Sequence, residues 1–140
     1  MARSDGMGYE KPLPSMRTID EPYWEGTRDG ELRIQHCLDC GKWWFPPNEF
    51  CPQCLGHHYE WAKASGQGTI WSRIFMHQLY YRSFTADAPY NIVWVALDEG
   101  PMITANVVGS LHEDIEIGSR VTVEFDPVTD DVTLPRFRII

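Results

Sequence analysis

Four cysteines, Cys37, Cys40, Cys51 and Cys54, constrain this chain more than anything else in it. They read C-x-x-C, ten intervening residues, then C-x-x-C. A two-residue gap lets the backbone curl until both sulfurs point at one centre, about 2.3 Å from an ion such as zinc. Turn formers accompany the pairs: Gly41 follows Cys40, Pro52 follows Cys51, and Leu55-Gly56 follows Cys54. They suit tight knuckles whose backbone N–H groups face the thiolates and spread their charge. Two knuckles on two hairpins supply four ligands and leave no vacant position for water, which predicts a structural metal rather than a catalytic one. Zinc is the first choice, and iron in tetrahedral sulfur takes the same ligand set. A redox dithiol or two chance pairs is the competing reading.

Paired thiols of this kind serve metals more often than disulfides where the surroundings are reducing. The start, Met1-Ala2-Arg3-Ser4-Asp5-Gly6, lacks the apolar stretch of a secretory signal. No apolar run approaches the roughly 20 residues that span a bilayer, so a cytoplasmic protein without a membrane segment is expected. The 140 residues are 43% hydrophobic and 23% charged, which fits one ordinary domain or two very small units.

The first 18 residues hold Gly6, Gly8, Pro12 and Pro14 with little periodicity, and read as a flexible arm. Asp20 to Gly30 reads as a short helix, with Asp20 as N-cap, Gly30 as C-cap, and Tyr23, Trp24 and Thr27 near one face. Leu32–His36, Trp43–Phe45 and Tyr59–Ala64 are the short strands of a zinc ribbon too small to fold without its metal. From Gly66 the strands lengthen. Thr69–Gln78 is apolar on both faces, with Ile70, Ile74 and Met76 on one and Trp71, Phe75 and His77 on the other, which suits a long bent strand. Strands follow at Tyr90–Leu97, Met102–Val108, the alternating Val121-Val123-Phe125 segment, and Val132–Ile140. Five strands with long first and third connections describe a small OB barrel, with a sandwich fragment as the alternative. The expected fold is therefore mainly β: an arm at 1–18, a helix and ribbon at 19–64, and a five-stranded OB barrel at 65–140.

In order along the chain stand Pro22-Tyr23-Trp24-Glu25-Gly26, Gly30-Glu31-Leu32, Cys37-Leu38-Asp39-Cys40-Gly41, Phe45-Pro46-Pro47, Cys51-Pro52-Gln53-Cys54, Gly66-Gln67-Gly68-Thr69, Leu97-Asp98-Glu99-Gly100-Pro101 and Leu134-Pro135-Arg136-Phe137. This series resembles the acyl-CoA-associated OB-fold family with an N-terminal rubredoxin-like zinc ribbon, long known only as a domain of unknown function. The resemblance covers residues from about 19 to 140. It implies an accessory subunit of thiolase-like enzymes, aldolases or hydratases in lipid, steroid or polyketide metabolism, one that stabilises its partner and helps shape an acyl-CoA path. It implies Cys37, Cys40, Cys51 and Cys54 as metal ligands and fixes no acyl-CoA contact. One departure from the pattern is Leu55, at the place after the second knuckle where glycine is usual.

Three function classes compete. For an enzyme, every cysteine is committed to metal, and His36, His57, His58, His77 and His112 lie in no recognisable catalytic motif, so no catalytic residue is expected. For a nucleic-acid-binding OB module, Tyr80, Tyr81 and Phe84 could stack bases. Residues 66–140, however, carry Arg73, Arg82, Arg120, Arg136 and Arg138 against twice as many acids, and the whole chain is at −8. For a protein-binding subunit, Tyr23 and Trp24 on the weak helix and Tyr80–Phe84 on a long loop supply ring anchors beside Arg82. The last is the favoured reading, and the nucleic-acid module is the alternative.

Overall fold

The structure, a computed structural model, describes residues 9–140. Residues 1–8 of the expected arm lie outside it, and residues 9–17 carry no regular secondary structure. Among the described residues the first regular elements are a 3-10 turn at Thr18–Asp20 and helix α1, Glu21–Arg28. Asp20 does not cap α1 through its side chain. Its carboxylate instead accepts from the Arg17 backbone N–H (3.0 Å) and from the Arg17 guanidinium (2.9 Å). The guanidinium holds this nearly buried carboxyl below the usual range. The far end of α1 closes as its glycine foretells. Gly30 has φ +77°, its N–H donates to Thr27 O (3.1 Å), and Glu31 N–H donates to Gly26 O (2.8 Å).

Strand β1 (Arg33–Cys37) sits between β2 (Trp43–Trp44) and β3 (Tyr59–Lys63), both antiparallel to it. The larger sheet contains β4 (Gln67–Met76), β5 (Tyr90–Leu97), β6 (Met102–Ala105), β7 (Arg120–Pro127) and β8 (Thr133–Ile139). Its order is β6-β5-β4-β7-β8, all antiparallel. A parallel bridge between Val107 and Phe137 carries the chain beyond β6 back to β8, so the sheet curls into the half-barrel of an OB fold.

The expected bend in β4 exists and changes which residues face inward. Ile70 lies opposite Val95 and Ser72 opposite Trp94, so Trp71 is an extra residue. Before this bulge Ile70 is buried. After it Phe75 lies opposite buried Asn91 and packs against the core, while Ile74 is 52% exposed. The expected grouping of Ile70 with Ile74 fails because one inserted residue shifts the strand's two-residue period by a step.

One core joins the two sheets. Tyr23, Leu32, Ile34 and Ala64 belong to the same buried cluster as Ile70, Val93, Val95, Val121 and Phe137. The glycines of Gly66-Gln67-Gly68 have a steric reason within this packing. A Cβ at Gly66 would lie 2.5 Å from Val123 Cγ1, and one at Gly68 would lie 2.5 Å from Ala96 O.

Asn91 closes the curl. Its side-chain NH2 donates to Val107 O (2.9 Å), and its Oδ1 accepts from Val107 N–H (2.6 Å), all of it buried. Asn91→Ala strands both main-chain groups of Val107, and urea titration should register a loss of about 2 kcal/mol. An unchanged midpoint would mean that water replaces the amide.

Candidate metal centre

Each knuckle is built by the same local hydrogen bonds. In the first, Gly41 N–H donates to Cys37 O (3.1 Å) and Cys37 N–H to Lys42 O (2.8 Å). In the second, Leu55 N–H donates to Cys51 O (2.9 Å) and Cys51 N–H to Gly56 O (2.9 Å). The turn after Cys54 is therefore not displaced by its missing glycine. Leu55 itself adopts φ +61°, where Gly41 has +79°. A Cβ in this left-handed conformation costs about 1 kcal/mol, and the Leu55 side chain recovers little because it is 70% exposed. Leu55→Gly is expected to raise the unfolding free energy by about 1 kcal/mol, less whatever entropy the freer unfolded chain gains. A loss of stability would mean that the leucine side chain makes a contact worth more than its strain.

The knuckles face each other and bring the four sulfurs within 4.8 Å of one another. Cys37 Sγ lies 3.6 Å from Cys54 Sγ, and Cys40 Sγ lies 3.5 Å from Cys51 Sγ. Four sulfurs at zinc–sulfur distance define a tetrahedron with edges of about 3.8 Å, whereas a disulfide needs about 2.05 Å. The cysteines are unbridged, and their spacing fits a tetrahedral metal.

Backbone donors aim at the buried sulfurs. Cys40 N–H points at Cys37 Sγ (3.4 Å), and the N–H groups of Gln53 (3.4 Å) and Cys54 (3.5 Å) point at Cys51 Sγ. Burial pushes the Cys51 thiol up, but the amides of Cys54 and Gln53, together with contacts from the Cys40 and Cys54 thiols, outweigh it and bring the group down to about 7. The Cys40 amide likewise lowers Cys37. For Cys40 the Lys42 amide pulls down, but burial and the three neighbouring sulfurs outweigh it and push the thiol up to about 12. Cys37 and Cys51 are thus shifted toward the thiolate, while repulsion from neighbouring sulfurs shifts Cys40 and Cys54 the other way. A divalent cation at the centre removes that repulsion.

The second knuckle is tied to β1 by a pair that cysteine spacing does not reveal. Gln35, fully buried on β1, donates from its amide to Asn48 O (2.7 Å) and accepts from Asn48 N–H (2.8 Å). This pair fixes the segment leading into Cys51. Trp44 and Tyr59 pack edge-on at 5.5 Å beside Cys37 and Cys51.

Among the described residues the recorded side-chain partners of the histidines are aromatic rings and carboxylates. His36 stacks on Trp43 and pairs with Glu60 (3.2 Å), and His58 pairs with Asp39 (3.3 Å). His57 meets Phe50, His112 meets Phe75, and His77 is exposed just beyond β4. Of the ring anchors, Tyr23 is not available to a partner: it is 4% exposed and its ring packs 5.2 Å from Phe45. Trp24 is half-buried beside it, whereas Tyr80 and Tyr81 remain exposed. Among the described residues no helix is long and apolar enough to cross a membrane.

Comparison with known proteins bears on both parts of the chain. Residues 24–60 match the ChsH2 rubredoxin-like zinc ribbon domain, and residues 61–126 match the ChsH2 C-terminal OB-fold domain. The chain belongs to the ChsH2 family. A chain of the solved Ltp2–ChsH2(DUF35) aldolase superposes with TM-score 0.82 at 30% identity, over 91% of this chain and 98% of that one. A DUF35 domain-containing scaffold protein of Methanocaldococcus jannaschii is 34% identical over 96 residues, 68% of this chain and 67% of its own length. A probable enoyl-CoA hydratase alpha subunit of Thermomonospora curvata is 30% identical over 128 residues. This ChsH2-family chain spans only 40% of that subunit's length. A DUF35-family protein of Sulfolobus solfataricus, 12% identical with TM-score 0.58, shares the fold.

Proposed function

We propose that this chain is a non-catalytic accessory subunit that holds one structural zinc through Cys37, Cys40, Cys51 and Cys54. It associates with a thiolase-like, aldolase or hydratase enzyme of acyl-CoA metabolism (lipid, steroid or polyketide) and helps shape that enzyme's acyl-CoA site. The observation that carries the reading is the likeness, over almost the full length of both chains, to a chain of the Ltp2–ChsH2(DUF35) aldolase. Relatives named as a scaffold protein and as a hydratase subunit support it. The chemistry of the chain agrees. Four thiolates saturate a tetrahedral ion, so zinc there supplies cross-linking and no reactive position. Residues 19–64 then act as a metal-stapled brace and residues 65–140 as the barrel it supports.

The nucleic-acid alternative is disfavoured by the arginines. Arg120 pairs with Asp98 (2.7 Å), Arg136 with Asp126 (3.1 Å) and Arg138 with Glu124 (2.9 Å), so their charge is already met before a phosphate arrives.

Co-expression with the thiolase-like, aldolase and hydratase subunits of the same genome tests the reading. One of them is expected to co-elute with this chain as a single species in light scattering. The reading fails if the chain remains alone beside each of them and instead binds single-stranded DNA or RNA with a steep salt dependence.

A further inference from the structure

The β6 edge of the larger sheet is open. Leu97 N–H donates to Pro101 O (3.0 Å) at the β5–β6 turn, so antiparallel alternation makes Val95–Ile103 and Val93–Ala105 the hydrogen-bonded pairs. The N–H and C=O groups of Met102 and Thr104 therefore point away from β5, and both residues are exposed. Among the described residues no other hydrogen bond takes these groups. The strand Met102–Ala105 carries no charge, proline or bulge to blunt this edge, and its four residues limit an added strand to a short pairing.

A groove of about 480 Å³ runs along this edge, walled by Tyr23, Trp24, Phe45, Leu134 and Pro135. Its one charged lining residue, Arg136, is held by Asp126 (3.1 Å) and by Asn106 Oδ1 (2.8 Å). On the outer face Trp94, opposite Thr104, stacks on Trp71 at 5.7 Å. Trp71 and Trp94 are 55% and 48% exposed. A chain with a net charge of −8 thus keeps free charge out of the groove, while on the outer face Arg73 stands beside Trp94.

We propose that this edge docks an extended, uncharged segment of the partner enzyme, which joins the sheet as a further strand beside β6. The proposal rests on the accessory-subunit reading and names how the partner is held. Donors and acceptors on alternate residues of β6 match only an extended backbone. The segment's side chains then alternate, one set entering the Trp24–Leu134 groove and the other covering Trp94. A charged side chain entering the groove would lose hydration without meeting a free counter-charge, since Arg136 is already held by Asp126. A second copy of this chain fits less well. Two β6 strands would pair over four residues each while bringing together two chains of −8.

The test needs no enzyme, so its failure and the failure of the accessory reading are separable. Phage-displayed random dodecapeptides are panned against the full chain, and amide hydrogen exchange is followed with the selected peptide. The enriched peptides should alternate apolar and uncharged residues and slow exchange at Met102 and Thr104 by about tenfold or more. Thr104→Pro, which removes an edge N–H that the fold does not use, should weaken them by about tenfold or more, while Thr104→Val should not. The melting curve of each variant checks that it folds, and protection in the unaltered chain stands whether or not the proline is tolerated. The proposal is overturned by an absence of enriched peptides, or by peptides that leave Met102 and Thr104 exchanging freely. Concentration-dependent protection of those amides in the chain alone would assign the edge to a second copy instead.

Discussion

Cys51→Ser empties the proposed metal centre. Cys51 is fully buried, receives two backbone N–H contacts and stands 3.5 Å from Cys40 Sγ. A serine hydroxyl is a poor zinc ligand at neutral pH, so one corner of the tetrahedron is lost. Structural zinc contributes about 10 kcal/mol or more to the folding of small knuckles. Its loss exceeds what a three-stranded sheet with a two-residue outer strand can offset. Elemental analysis should fall from about one zinc per chain to about a tenth of that. Amide exchange in β1 and β3 should become fast. Because Leu32 and Ile34 share a core with Val93 and Val95, the barrel should lose stability too. A variant that keeps its metal, or that melts unchanged, would mean that the sulfurs are not the staple.

Phe137→Ala is expected to be the most damaging change outside the cysteines. Phe137 is fully buried, lies opposite Val123 on β7, and bonds through its main chain to Asn106 and Val108, where the sheet curls shut. Removing the ring leaves a cavity at that closure and costs about 4 kcal/mol, a large part of the roughly 5–15 kcal/mol that holds a domain together. Thermal melting should fall by about 15 °C. A fall of only a few degrees would show that the sheet collapses to fill the space.

The parts readable from the sequence were those in which a local rule acts alone. Paired cysteines two residues apart needed only a curl of backbone to meet. Gly30 ended α1 because its left-handed φ completes the helix cap. The alternation of Val121, Val123 and Phe125 carried through to a strand. What escaped depends on residues far apart in the chain. Gln35 holds Asn48, and Asn91 holds Val107, through an amide whose partner no periodicity announces. The bulge at Trp71 is set by the register with β5, not by the composition of β4. Asp20 bonds to Arg17 rather than capping α1, because a guanidinium three residues away competes with the helix amides for the same oxygens. Tyr23, expected with Trp24 to anchor a partner, is instead covered by the barrel, a contact made across the chain that helix spacing does not announce.

Acyl-CoA turnover, measured on the partner enzyme alone, on this chain alone and on the two reconstituted together, tests the central claim most directly. The account predicts no turnover by this chain, weak or absent turnover by the unaccompanied enzyme, and restored activity in the complex. Turnover by the zinc-loaded chain alone, abolished by substitution of one of its own side chains, would contradict it.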